Sequence, residues 1–315
     1  MATSGSINFT AKRDDVIIEA LELCGALGDG VSPTTSQITS CARTLNNLIK
    51  AWHNEGIGLD IAVRTFLFLQ QNQKEYVLVG NGSDHYVSSH GATTMAAEAS
   101  AGATEITVAD ASLISDGDVI GIFLIDNSMH WTTVNGAPVG SVVTLTDALP
   151  NTACSGAVVY FYTGISSTSN FRPVDILNVN NRSTSNLDTR CSILTRPEYV
   201  GLANKSATGV VSQVWYDRHS PEGNLYVYPT PDTSDRVLVI WIHKTPDDVD
   251  VATDDVEFPQ EAYLALSFNL ASLLSHKYGV DPNTMDRLAA RAKSLKDEIV
   301  GFDREGSIRF TPRFY

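Results

Sequence analysis

The hydrophobic period of this chain changes twice along its length, and that constrains its fold more than any single motif. Over residues 11–27, Val16, Ile17, Ala20, Leu21, Cys24 and Leu27 share one stripe, with Asp14, Asp15 and Glu19 mostly away from it. Apolar residues at spacings of three and four lie on one face of a helix. Thr10 suits the N-cap and GDG at 28–30 supplies a stop. Ser32-Pro33 then reads as a second N-cap and first helical residue. Behind it Ile38, Cys41, Leu45, Leu48, Ile49 and Trp52 recur at three and four, until NEGIG at 54–58 ends the pattern. Two helices joined by a short turn predict a helical hairpin.

From about residue 62 the period becomes two. FLFLQQNQKEYVLVG, EITVAD, DVIGIFL, HWTTV, VVTLTDALP and AVVYFYT are short β-type runs separated by Gly, Pro, Asn and Asp. Residues 92–163, rich in small residues and turns, stand apart as a unit of their own. A compact antiparallel barrel or sandwich of about seventy residues fits that composition. ISSTSN at 165–170 marks the seam before a second β series: VDILNVNN, RCSIL, VSQVWYD, NLYVYP and RVLVIWIHK.

The last quarter returns to the helical period. Phe258-Pro259 opens a helix carrying Tyr263, Leu266, Leu270, Leu273 and Leu274 on one face, ending at Tyr278-Gly279. Asp281-Pro282 begins another, with Met285, Leu288, Ala292, Leu295 and Ile299 in phase. Each hairpin has one apolar face to bury, so the simplest arrangement packs them together. The expected class is α+β: a helical-hairpin bundle formed by N- and C-terminal segments, with a large antiparallel β region inserted between them. Its expected segments are the N-terminal hairpin (1–61), outgoing strands (62–91), the inserted module (92–163), a second β region (164–257), the C-terminal helices (258–301) and a terminal arm (302–315).

The signatures of catalysis fail one by one. No GxSxG, HExxH, GxxxxGK[ST] or GxGxxG is present. The seven histidines are scattered, and the closest pair, His85 and His90, falls in GSDHYVSSHG, which reads as a solvated loop. PDDVDVATDDVEFPQE at 246–261 carries seven carboxylates. Asp248 and Asp250 begin like a calcium loop, but Thr253 stands where the sharp turn needs glycine, so an acidic loop leading into a helix N-terminus is the stronger reading. The four tryptophans, Trp52, Trp131, Trp215 and Trp241, each sit in an apolar run and read as core. Four scattered cysteines without CxxC read as reduced thiols. The start has no apolar segment of the signal-peptide kind, and no run approaches the roughly 18 to 20 apolar residues that span a bilayer. The expectation is a structural component without enzymatic activity, cofactor, metal or membrane partner, made in a cytoplasm.

The chain is acidic overall, with 36 acidic against 22 basic residues and a formal charge of −14. That excludes a general nucleic-acid coat but leaves room for a surface past which nucleic acid slides. Against this charge, the chain ends on REGSIRFTPRFY, with Arg304, Arg309 and Arg313 among Ile308, Phe310, Phe314 and Tyr315. Pro312 keeps these last residues out of a helix or central strand. Two readings stay open: the aromatics fold back on the helix of residues 283–299, or the segment is an arm for another protein.

The order of parts resembles that of bacteriophage head-to-tail adaptors, the packaged-DNA stabilisation or tail tubular protein A-like proteins of short-tailed phages. RDDVIIEALELCGALGDG followed by RTLNNLIKAWHNEGIGLDIAVRTFLF is similar to their N-terminal helix pair, with Leu27-Gly28 closing the first helix and Trp52 to Gly56-Ile57 closing the second. RPVDILNVNNR, LTRPEYVGLANKSATG, VSQVWYDRHSPEGNLYVYPTPD and DDVEFPQEAYLALSFNLASLLSHKYGVD then follow in the family's order. Residues 92–163 depart from the short adaptors and look like an inserted β module. The resemblance implies a homo-oligomeric ring, typically a dodecamer, beneath the portal protein at the head–tail interface of the virion. The ring would extend the DNA channel, retain packaged genomic DNA and offer a platform to the tail nozzle. It also implies that Arg304, Ile308, Arg309, Phe310, Arg313, Phe314 and Tyr315 form a portal-docking arm. The alternative is a virion β-protein that binds carbohydrate or a tail-fibre partner through the inserted module.

Overall fold

The computed structural model describes residues 10–28, 30–56, 62–78, 84–163, 172–219, 222–244, 247–256, 258 and 260–302. The chain is mixed α and β, with a large β region and a few helices. It divides into two compact units, one from Met1–Asp60 with Thr245–Tyr315, the other from Ile61–Lys244. The helices are α1 (Arg13–Leu23), α2 (Thr35–Asn54), α3 (Arg196–Val200), α4 (Tyr263–Tyr278) and α5 (Pro282–Phe302).

In the first unit the two chain ends share one core. Val16, Ile17 and Leu21 of α1, Leu45 and Trp52 of α2, Leu266, Leu270 and Leu274 of α4, and Leu288 and Leu295 of α5 belong to a single buried cluster. Phe258 joins it edge-on to Trp52, with ring centroids 5.9 Å apart. Two helix starts differ from expectation. Lys12, not Thr10, occupies the N-cap of α1, because Lys12 bridges Asp255 and Ala11 accepts from the Val256 N–H. That pairing holds residues 11 and 12 extended. α2 starts after Thr34, whose Oγ accepts from the Gln37 N–H while Gln37 Oε1 accepts from the Thr34 N–H, a capping box. α1 ends at Leu23, before the expected stop, where Gly25 takes a φ of 71°.

The acidic segment before α4 is tied to this unit. Arg13 donates to the Asp250 carbonyl and pairs with Asp14 at 2.8 Å, while Asn46 Oδ1 accepts from the Val249 N–H. Asp254 Oδ2 accepts from the N–H groups of Asp250 and Val251, so this carboxylate is turned to its own backbone. Among the described residues no group of three His, Cys, Asp or Glu side chains is placed to hold a metal.

The second unit is built on an eight-stranded sheet. Its order is Glu75–Val77, Asn224–Tyr228, Gln213–Asp217, Asp188–Ile193, Asp175–Arg182, Val237–His243, Ala62–Phe68, Tyr86–Val87. Neighbours run antiparallel except Asp188–Ile193 and Gln213–Asp217, which are parallel. Alternate residues from these strands, among them Leu67, Tyr76, Tyr86, Val179, Val214, Leu225 and Ile240, meet in one cluster without a helix. A sheet that buries one face against itself is rolled. Its two edges approach at Asp84, which accepts from the Val77 N–H (2.6 Å) and from Gln73 Nε2 (2.8 Å). Bridging the edges removes open backbone groups that would otherwise invite another chain.

Residues 91–162 form a small two-sheet module. One sheet runs Gly91–Thr94, Val158–Tyr162, Val119–Phe123, Met129–Thr133, and the other pairs Glu105–Thr107 with Val142–Thr144. Its own core holds Ile106, Val108, Ile120, Ile122, Val143, Leu145, Val159 and Phe161. Because strand side chains alternate, Val158, Tyr160 and Tyr162 face the opposite way.

Candidate functional site

That opposite face of the module meets the outer face of the rolled sheet. Phe66, Phe68, Val237 and Val239 from the sheet share a buried cluster with Met129, Tyr160 and Tyr162 from the module. Phe68 is fully buried and central, with centroids 4.9 Å from Tyr160 and 5.0 Å from Trp131. Trp131 comes this close because it crosses Gly121. A Cβ there would lie 2.7 Å from the indole, well inside contact distance. Tyr160 donates its hydroxyl to the Asp235 carbonyl, and Asn127 accepts from the Ser234 N–H, adding polar ties across the junction.

His85 and His90, expected in a solvated loop, instead belong to this junction. His85 stacks on Trp131 at 3.8 Å, and its Nδ1 lies 2.6 Å from the Tyr162 hydroxyl. His90 sits edge-on to Phe66 at 4.4 Å and to Phe68 at 5.2 Å. Burial pushes both imidazoles down to about 4. For His85 the Asp84 carboxylate opposes that shift, and for His90 the Arg182 and Arg64 charges reinforce it. Both are therefore neutral near pH 7. Serines and glycine flank the pair and give its stretch the look of a loop, while the aromatics that enclose the two rings lie elsewhere in the chain.

A cavity of about 240 Å³ opens beside His90. Tyr160 and Thr93 of the module and Arg182 and Asn186 of the sheet line it. Arg182 is held by Asp188 through two hydrogen bonds, of 2.7 and 2.8 Å, so its charge is matched. His90 Nδ1 is buried and has no hydrogen-bond partner.

A second aromatic group lies on the outer face of the sheet, away from the module's strands. Trp215 and Tyr226 are cross-strand partners, stacked at 4.8 Å and 17°. Tyr199 of α3 closes on both, at 5.0 and 5.4 Å, and is itself 7% exposed. Tyr226 donates its hydroxyl to Glu75 (2.8 Å). This trio holds α3 against the sheet.

Of the tryptophans read as core, Trp52 is buried and Trp131 and Trp215 are half-buried. Trp241 departs from that reading at 38% exposure, on the outer face opposite Arg64 and Asn178. The strand's other face already supplies Leu238, Ile240 and Ile242 to the core. Arg304, Ile308, Arg309, Phe310, Arg313, Phe314 and Tyr315 lie outside the described residues, as does the seam at 165–170.

Comparison with known proteins yields little. No protein family and no curated protein matches the chain. Among solved structures it is similar to the Gp54 tailspike of Acinetobacter baumannii bacteriophage AP22, in complex with A. baumannii capsular saccharide. That likeness has 22% identity over 25% of this chain and 15% of the other, with a TM-score of 0.22. It is also similar to the tailspike gp61 of Pseudomonas phage phi297, at 20% identity over 24% of this chain and 15% of the other, with a TM-score of 0.21. The chain thus spans about 15% of the length of either tailspike.

Proposed function

We propose that this chain is a structural, non-enzymatic protein of a bacteriophage virion, and specifically a head-to-tail adaptor that forms a ring beneath the portal. The observation that carries the reading is the helical unit closed by both chain ends: α1 and α2 share one buried core with α4 and α5, and the β unit is inserted between them. That is the order of parts on which the adaptor resemblance rests. In this reading the two helix pairs form a helical-hairpin body, and residues 302–315 reach the portal.

The surface of α4 adds support. This helix is apolar on most sides, burying Leu266, Leu270 and Leu274 while leaving Leu264 and Leu273 about half exposed. A helix apolar on more than one face usually has more than one neighbour. A second subunit in a ring would cover those leucines. Arginines and aromatics on the arm suit a partner surface that offers carboxylates and apolar pockets. A single arm would bind weakly after ordering costs, but a ring engages its arms together. An acidic lumen would let genomic DNA pass without holding it.

The test is mass photometry of the full chain with the portal of the phage that encodes it, beside a version ending at Phe302. Loading of the full chain as a ring, and failure of an equally stable truncation, is the expected result. Normal loading by the truncation would remove the arm from the reading. Failure of the full chain to recognise the portal would end the adaptor assignment.

A further inference from the structure

We infer that the outward face of the inserted module docks on the outer face of the rolled sheet of a second copy of this chain. The inference rests on the ring reading only in requiring that copies meet, and it names the surfaces through which they do.

Two apolar faces of the β unit stand open to solvent. On the module, strands Glu105–Thr107 and Val142–Thr144 turn Ile106 and Val143 into the core, so Glu105, Thr107, Val142 and Thr144 point outward. The loop at 110–117 lies against the turn that precedes the second of these strands. Asp116 accepts from the Gly136 N–H at 2.7 Å, and the Ser141 carbonyl accepts from the Val108 N–H at 2.9 Å. On these neighbouring turns Leu113 and Val139 are 75% and 80% exposed. On the sheet, Trp241 stands exposed between Arg64 and Asn178, two residues beyond Val239 of the junction.

Charge decides what covers them. Residues 91–162 hold seven Asp or Glu and no Lys or Arg, a net −7 against −14 for the whole chain. Glu105, Asp110 and Asp116 are exposed around the tip, so two such tips would repel each other. The sheet face offers the opposite sign. Arg182 is matched by Asp188 at 2.7 Å and Arg218 by Asp175 at 2.6 Å. Arg64 and Arg190 have no carboxylate within ion-pair distance among the described residues. Arg190 shares the face of Trp241, since it is level with Asn180 and Val239. A tryptophan flanked by uncommitted arginines complements an aliphatic tip flanked by carboxylates. Each copy carries one face of each kind, so the contact passes head to tail from copy to copy, as a ring requires.

The experiment is sedimentation velocity of the full chain over a wide concentration range, at low and high salt. Assemblies larger than a dimer are expected, and high salt should weaken them severalfold. Arg64→Glu with Arg190→Glu reverses the sheet face, and Glu105→Lys with Thr107→Lys reverses the module face. Each pair should lower association by about tenfold or more, with thermal unfolding unchanged. An equimolar mixture of the two variants should restore it, because reversed faces then meet each other and native faces meet each other. Should either pair fail to fold, Trp241→Ala and Val139→Asp take its place, and each should weaken association severalfold. The inference is overturned if the chain stays monomeric or stops at a dimer. It is equally overturned if the variants associate like the unmodified chain, or if the folded mixture fails to assemble. Portal loading separates the two readings: rings that load unchanged with these variants keep the adaptor reading and end this one.

Discussion

The two aromatic groups of the β unit use the same residue types for different ends. At the module junction, Phe68, Trp131, Tyr160 and Tyr162 enclose two neutral histidines, and Phe68 is entirely buried. On the outer sheet face, Tyr199, Trp215 and Tyr226 stack on one another, with Trp215 and Tyr226 still half in solvent. The first joins two cores that would otherwise each end at a solvent face. The second fixes one short helix. What separates them is whether a second β layer covers the rings, and no local feature of an aromatic run reveals that.

Acidification should separate the two groups most sharply. Burial lowers the folded-state pKa of His85 and His90 from an ordinary 6.5 to about 4, so between those values the unfolded chain binds more protons. Their contribution is complete above about pH 6.5 and is lost as pH falls toward 4. The loss should reach up to roughly 3 kcal/mol for each histidine. Urea titrations of the full chain across that window measure it. His90→Phe should flatten the slope by about half, and an unchanged slope would mean that the histidines are not enclosed. The trio contains no histidine, so hydrogen exchange at α3 should not respond in this window beyond the global change.

Phe68→Ala comes next, at about 3–5 kcal/mol, because it empties the centre of the junction. The β-unit transition in denaturant should move accordingly. A change below about 1 kcal/mol would mean that the junction tolerates a void.

Gly121→Ala is a smaller and more pointed change. It forces the Trp131 indole off its seat at a cost of about 1–3 kcal/mol, and the tryptophan fluorescence should shift with it. The same substitution should not affect α3.

Trp215→Ala should have the smallest effect on stability, about 1 kcal/mol, since its ring is half-exposed and its partners are stacked rather than enclosed. Its signature is local: amides of residues 196–202 should exchange faster while the junction keeps its protection. Loss of junction protection would show that the two aromatic groups act as one, and the distinction would fail.

Much of this architecture was legible in the chain. The three-and-four spacing of Val16, Ile17, Leu21, Leu45 and Trp52 marks helices because a helix returns a side chain to one face every few residues. VVYFY marks a strand, and its alternation already implies two faces with different neighbours. The small residues and turns after Met95 and the buried cluster formed between Met95 and Phe161 are both features of one contiguous stretch. These are local properties, set by backbone period and turn chemistry.

What the tertiary structure alone decided is which faces meet. Asp84 bridging the two sheet edges, the parallel pairing of Ser192 with Gln213, and the burial of His85 and His90 all join residues distant in sequence or in strand order. Trp131 and Trp241 look alike in their runs, yet the junction packs Trp131 half-buried against Phe68 and His85 while Trp241 stays 38% exposed on the outer sheet face. Period determines which residues share a face, while the free energy of burial is realised only by whatever surface that face meets.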